Sequence, residues 1–302
     1  MSHQRAYLNG QFVDASQAVV SVFDGGFLQG TTVAEQLRTF GGKIFRLEAH
    51  LERLRHSLAI VGVDPGLTAD EWTSIASELL AHNHALLSEG DDLGLTMFVT
   101  PGVATARKTP AQPTVCMHTH PLRFFQWAEK YDLGDALATT SVQQVPERCW
   151  PAELKCRSRM HYFLADRQAG SRFPGSRALM TDTGGHVTEA TTANVVLFDE
   201  RRGLRTPPLE KVLPGISMGV LAQLAAELGI AWHHGDLTPS DVVAADEVLL
   251  TSTSPCVLPV VRFNGQDVGS GRPGPIHARL LTAWSQMVGL DIRAQAQRFA
   301  AR

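Results

Sequence analysis

A mixed α+β fold in two domains is what the sequence predicts, on three observations. The chain has 302 residues, and at roughly 100–200 residues per domain that is room for about two. Hydrophobic residues make up 44% and charged residues 19%, ordinary proportions for packed cores and not those of a disordered chain. Strand-like stretches do not alternate regularly with helix-like ones, which favours α+β over a doubly wound parallel sheet.

The elements follow in order. Ala6 to Val13 reads as two short strands around an Asn9-Gly10 hairpin turn. Val33 to Phe40, a turn at Gly41-Gly42 and Lys43 to Phe45 form a second strand pair. Leu47, Leu51, Leu54, Leu58 and Val61 make one apolar helical stripe that Gly62 terminates. Thr68-Ala69-Asp70-Glu71 is a capping box for a helix carrying Trp72, Ile75 and Leu79. Strands at Leu93 to Thr100 and Thr114 to His120 complete a first unit. Later come a strand near Ala136 to Val142, a helix near Ser158 to Gly170, and strands near Arg177 to Asp182 and Asn194 to Phe198. A helix at Ser217 to Leu228 stops at Gly229, another starts at Thr238-Pro239, and a strand runs from Glu247 to Thr251. His233-His234 reads as loop. Residues 1–127 are the small N-terminal domain, 128–136 the linker, and 137–302 the large domain.

The formal charge of −3 excludes a strongly basic nucleic-acid footprint. The N-terminus lacks the basic-then-apolar run of a secretory signal, and no apolar stretch reaches the ~18 residues of a membrane span. Cys116, Cys149, Cys156 and Cys256 are too few and scattered for a disulfide framework, so a reducing cytoplasm is expected. His118-Thr119-His120 and His82-Asn83-His84 lack Cys or acidic partners at ligand spacing, and no metal site is expected.

Three pieces resemble parts of a phosphate site. Leu213-Pro214-Gly215-Ile216-Ser217 leads into a helix whose free N–H groups suit an anion. Thr251-Ser252-Thr253-Ser254-Pro255 is a hydroxyl-rich turn, and Arg53 lies beside its helix's apolar stripe. Each alone reads more readily as a helix start, a solvated loop and a surface arginine. With Lys155 and Glu189 they make up what pyridoxal phosphate needs: an amine, a carboxylate for its ring nitrogen, and phosphate anchors.

The sequence resembles the class IV pyridoxal-phosphate aminotransferases, which include branched-chain and D-amino-acid aminotransferases and aminodeoxychorismate lyase. The resemblance rests on Phe27 to Glu35, Ile44 to Leu54, Lys155, Val187-Thr188-Glu189 with Asn194, Leu213 to Ser217, Thr251-Ser252-Thr253 and Pro259-Val260. It implies fold type IV: a small α/β N-terminal domain, a larger domain with a mixed, barrel-like sheet, and pyridoxal 5'-phosphate at the domain interface of a homodimer. It further implies Lys155 as the Schiff-base lysine and Glu189 as partner of the pyridine nitrogen. Arg53, the Ile216 and Ser217 backbone, the Ser217 hydroxyl, Ser252 and Thr253 would hold the phosphate, with Arg148 near it as in the D-amino-acid branch. The activity implied is amino transfer between an amino acid or amine and a 2-oxo acid. A lyase releasing pyruvate and a catalytically degenerate relative are the alternatives.

The substrate side matches no familiar member. The D-amino-acid branch has an arginine in a Thr-Arg-Gly turn, where this chain has Thr100-Pro101-Gly102. Branched-chain enzymes have tyrosine, phenylalanine and glycine at Gln29, Ala34 and Gln36, and tyrosine at Met160. Strand alternation puts Ala34, Gln36 and Arg38 on one face, opposite Glu35 and Leu37. In the family that face looks onto the substrate, so Arg38 is the first candidate for a carboxylate partner and Arg107 the second.

Overall fold

The chain opens with the hairpin that its Asn-Gly pair favours. Strands β1 (Arg5–Leu8) and β2 (Gln11–Asp14) pair antiparallel around Asn9 and Gly10, both at positive φ, as a two-residue hairpin requires. There follow α1 (Gly25–Leu28), β3 (Val33–Phe40), β4 (Lys43–Ile44), α2 (Leu47–Val61), α3 (Ala69–His84), β5 (Leu93–Thr100) and β6 (Thr114–Pro121). Gly62, at φ 67°, turns its N–H back onto Ala59 and Leu58 and ends α2. The reciprocal Thr68–Glu71 capping box starts α3. The computed structural model describes residues 3–103 and 112–301, and Arg107 lies outside them.

The six strands form one antiparallel sheet in the order β2-β1-β6-β5-β3-β4. Period-two alternation gives it two unlike faces. Val33, Leu37, Leu95, Met97, Val99, Val115 and Met117 pack against Leu51, Leu54 and Leu58 of α2 and Trp72, Ala76 and Leu79 of α3. Burying each of these large side chains contributes about 1.5–3 kcal/mol. By the same alternation Ala34, Gln36, Arg38, Thr96, Phe98, His118 and His120 share the other face.

Two units emerge from the chain's contacts. The first runs up to Leu122 and also takes in Leu154–Ser158; the second comprises Arg123–Glu153 and the residues from Arg159 onward. Lys155 therefore sits in the first unit, whereas the sequence reading placed it in the large domain. The expected linker, 128–136, is instead structured within the second unit. It holds helix α4 (Lys130–Leu133) and the start of β7 (Asp135–Thr139), with Ala128 and Tyr131 buried. The Tyr131 hydroxyl donates to the Pro255 carbonyl at 2.7 Å. Aromatic packing explains the lack of a linker-like period: Phe124 lies 5.5 Å from Trp127 and 6.2 Å from Phe299, centroid to centroid.

The second unit continues with α5 (Met160–Arg172), β8 (Arg177–Thr181), β9 (Val187–Ala190), β10 (Ala193–Asp199), β11 (Gly203–Thr206), α6 (Ile216–Glu227), β12 (Trp232–His234) and α7 (Pro239–Ala244). Then come β13 (Glu247–Ser252), β14 (Cys256–Phe263), β15 (Gln266–Asp267), α8 (Pro275–Val288) and α9 (Ile292–Arg298). The order β10-β13-β14-β7-β8-β9 closes because β9 also pairs with β10. This closed, mixed sheet, parallel at β14–β7 and β7–β8, is the barrel-like sheet the resemblance implied. Its core takes Leu137, Leu179, Val187, Val195, Leu197, Val248, Leu250 and Val260, at least one from every strand of the ring. His233 and His234 belong to β12, beside β11, rather than to a loop. Among the described residues no helix is long and apolar enough to cross a membrane, and no group of three or more His, Cys, Asp or Glu is placed to hold a metal ion.

Candidate active site

In the first unit the lysine segment is stitched to β3. Cys156 bridges Val33, the Ala34 N–H donates to the Lys155 carbonyl at 3.1 Å, and the Arg157 N–H donates to Thr32 at 2.8 Å. The Lys155 N–H donates to Ser57 of α2 at 3.1 Å, and the Ser158 hydroxyl donates to Gly30 at 2.6 Å. A half-buried lysine with its backbone pinned on both sides has a fixed root.

Beside it lies a buried ion cluster. Glu35 sits on the helix-facing side of β3, and His50 and Arg53, three apart on α2, turn toward it. Arg53 donates through Nε and Nη2 to the two Glu35 oxygens at 2.7 and 2.8 Å, and His50 Nδ1 donates to Glu35 Oε2 at 2.7 Å. Burial pushes the Glu35 carboxyl up, but the hydrogen bonds and charge of Arg53, the His50 bond and the Lys155 charge bring it down to about 2. Burial also lowers His50, against the pull of Glu35, so at neutral pH a neutral imidazole serves the carboxylate.

In the second unit Glu189, Asn194 and Thr251 occupy neighbouring positions on β9, β10 and β13, on the face opposite the apolar core. Asn194 Nδ2 donates to the Leu213 carbonyl at 2.9 Å, and the Leu213 N–H donates to Glu189 Oε2 at 3.4 Å. Two residues later Gly215 caps α6 with no side-chain cap, leaving the helix's first N–H groups without one. A Cβ at Gly215 would stand 2.0 Å from Asn194 Oδ1, so only glycine fits. Ser217 is buried in the first turn of α6. Ser252 and Thr253, half-buried, close β13 one and two residues past Thr251.

Glu189 is also held at Oε1, by Gln144 Nε2 at 2.9 Å and by the Tyr162 hydroxyl. Burial, then the Glu189 charge and hydrogen bond, raise the Tyr162 phenol well above its ordinary range, so it remains a donor. Gln144 Oε1 and Thr188 Oγ1 are buried with no partner among the described residues. A buried polar atom left unmet is costly, and Gln144 Oε1 belongs to the amide that holds Glu189.

Other expected residues are placed differently. Arg148 is exposed on a turn and makes no hydrogen bond or ion pair among the described residues. Gln29 is exposed at the end of α1. Arg38 is 1% exposed, with its guanidinium 4.0 Å from the Phe40 ring centroid and Nε on the Thr39 carbonyl. At 1% exposure, with its guanidinium against Phe40, Arg38 has no surface to offer a substrate, so the expected carboxylate role does not match its placement. Glu35, Tyr162 and Gln144 were missed. Glu35 carried a signal, a carboxylate at an apolar-face position of β3 with Arg53 and His50 at inward positions of α2; Tyr162 and Gln144 carried none.

Comparison with known proteins shows the family. The family described as amino-transferase class IV matches residues 32–263. A relative from Methanocaldococcus jannaschii, provisionally named a branched-chain-amino-acid aminotransferase, is 32% identical across 91% of this chain and 93% of its own. The D-alanine aminotransferase of Bacillus licheniformis is 29% identical across 92% and 95%. The crystal structure of Escherichia coli branched-chain amino acid aminotransferase superposes with a TM-score of 0.86 at 24% identity, covering 95% of this chain and 94% of that one. The chain belongs to the class IV aminotransferases and has their fold. It is a transaminase.

Proposed function

We propose that this transaminase uses pyridoxal phosphate to move an amino group from an amino acid or amine to a 2-oxo acid, with Lys155 and Glu189 as its working residues. The observation that carries the reading is the double grip on Leu213: Glu189 takes its N–H and Asn194 its carbonyl. One frame thus fixes both a buried carboxylate and an open helix N-terminus. Those are the partners a protonated ring nitrogen and a phosphate call for, and the donor set fits the cofactor.

When bound, pyridoxal phosphate supplies an electron-accepting ring for the carbanion left on the substrate. Lys155 Nζ would be its covalent anchor, and the free amine would be the base that takes the proton from the amino-bearing carbon. Glu189 holds a proton on the ring nitrogen, and Tyr162 and Gln144 hold Glu189 in place. The N–H groups of Ile216 and Ser217, the hydroxyls of Ser217, Ser252 and Thr253, and the charge of Arg53 would hold the phosphate. Glu35 fixes the Arg53 guanidinium through two of its donors. Arg148, exposed on its turn, would add only a diffuse charge. Exposed Val19, Val22, Phe23, Phe27 and Leu28 flank Asp24, which is buried and bonded to Gly26 and Thr114. This anchored apolar strip supports a homodimer, which light scattering would read directly.

The test is a panel of L- and D-amino acids and simple amines, read as loss of the bound cofactor's visible absorbance and its return on adding a 2-oxo acid. Reversible bleaching by at least one donor is expected. Pyruvate release with no acceptor would instead indicate the lyase reaction, and absence of any spectral response would overturn the reading.

A further inference from the structure

The face of the first unit's sheet turned away from α2 and α3 carries a row of polar side chains in ordered contact. Thr96 Oγ1 donates to Gln36 Oε1 at 3.0 Å, and Gln36 Nε2 donates to His120 Nε2 at 2.6 Å. His120 Nδ1 lies 3.1 Å from the Pro121 carbonyl. That pairing puts the ring proton on Nδ1 and leaves Nε2 as the acceptor Gln36 needs. The imidazole has room because residue 94 is glycine: a Cβ there would lie 2.0 Å from His120 Cε1. Register places Gly94 between Arg38 and His120, and Thr96 between Gln36 and His118. The ring therefore crosses the sheet over Gly94 to reach Gln36.

This arrangement fixes the amide's orientation and uses one of its two N–H donors. The other has no partner among the described residues, and Gln36 is half-buried, not sealed. Its position ties it to the lysine. Ala34 bonds the Lys155 carbonyl and lies on the same face as Gln36, two residues and about 7 Å along the strand. Ala34 itself is small, and the antiparallel bridge between Val33 and Cys156 sets Lys155 opposite it, on the face that carries Gln36.

We infer that Gln36, oriented by Thr96 and His120, is the specificity-determining residue of this transaminase and selects substrates whose side chain ends in a carboxylate or carboxamide oxygen. The amide hydrogen donates to that oxygen, and Thr96 and His120 act as positioning residues. An aliphatic side chain reaching the same place would leave the donor unanswered, and a donor site discriminates against analogues that lack the acceptor.

The inference rests on Lys155 being the reacting amine, and the experiment separates the two. Glutamate, glutamine and norleucine, each as both enantiomers, are compared by kcat/KM in the wild type and in Gln36→Leu, Gln36→Glu and Thr96→Val. The wild type is expected to prefer the oxygen-ended side chains. Gln36→Leu should lower their kcat/KM on the order of tenfold, the worth of one hydrogen bond to a carboxylate, and leave norleucine within about twofold. If Gln36→Leu does not fold, Gln36→Glu keeps the Thr96 contact and adds a negative charge, and should reject glutamate more strongly than glutamine. Thr96→Val should narrow the preference about threefold with unchanged cofactor binding, since it frees the amide without removing it. A wild type inert to every donor would overturn the transaminase reading itself. A reactive wild type whose preference survives in the Gln36 variants would overturn the role of Gln36 alone.

Discussion

Replacing Glu35 by glutamine should destabilise the protein by about 3–5 kcal/mol, the cost of removing one partner from a buried ion pair. Glu35 is 0% exposed and accepts both Arg53 bonds and the His50 bond. Glutamine keeps the shape but turns an N–H toward a guanidinium that is itself buried. The proton linkage gives a matching figure: a carboxyl held at about 2 instead of 4.5 contributes about 3 kcal/mol at neutral pH. Its pKa is depressed on folding, so the contribution is complete above 4.5 and is lost as pH falls from there to about 2. Thermal unfolding of the cofactor-free protein at pH 7 should show a midpoint lower by about 10 °C. The gap between wild type and variant should shrink on acidification through that window, because the variant has no carboxyl to protonate. A variant melting within about 2 °C of wild type at pH 7, with a gap independent of pH, would refute the reasoning.

Two further predictions concern the second unit. Burial holds His277 neutral, down to about 4 against an ordinary 6.5, so its contribution is complete above 6.5 and lost as pH falls toward 4. Urea unfolding of His277→Gln should lose about 2 kcal/mol less between pH 7 and pH 5 than wild type; equal losses would mean the imidazole takes up its proton in the fold as readily as in the unfolded chain. Gly215→Ala should force Asn194 off Leu213, since the new methyl would stand 2.0 Å from its Oδ1. Titration with pyridoxal phosphate should then show binding weakened on the order of tenfold, with about 1–3 kcal/mol of stability lost to overpacking. Unchanged affinity would detach the Leu213 frame from the cofactor.

The regular elements of the first unit were legible because their signals are local. The Asn9-Gly10 turn, the leucine stripe ending at Gly62 and the Thr68–Glu71 box each specify geometry within a few residues, and each forms where the pattern puts it. The second unit's ring was harder to read. β14 carries Pro259, which lacks the N–H of a central strand, yet it sits opposite Leu249 in the closed sheet. The resemblance singled out Lys155, but its unit was not legible, because the bridge that claims it joins Val33 to Cys156 across more than a hundred residues. Arg38 shows the limit of alternation. The strand's period set its face correctly, but Phe40 and the Thr39 carbonyl, which take up its guanidinium, are tertiary facts. Gln36 shows the converse: its type and face were visible, and the Thr96 and His120 contacts that orient it needed two neighbouring strands in register.

The central claim is that Lys155 and Glu189 serve one cofactor in moving an amino group. The most direct test is transfer of an isotopically labelled amino group from a donor amino acid to a 2-oxo acid, followed by mass spectrometry in wild type, Lys155→Ala and Glu189→Gln. Label should appear in the product with wild type, fall steeply with Glu189→Gln and vanish with Lys155→Ala, while both folded variants still bind pyridoxal phosphate. Label transfer by Lys155→Ala at near wild-type rate would contradict the account.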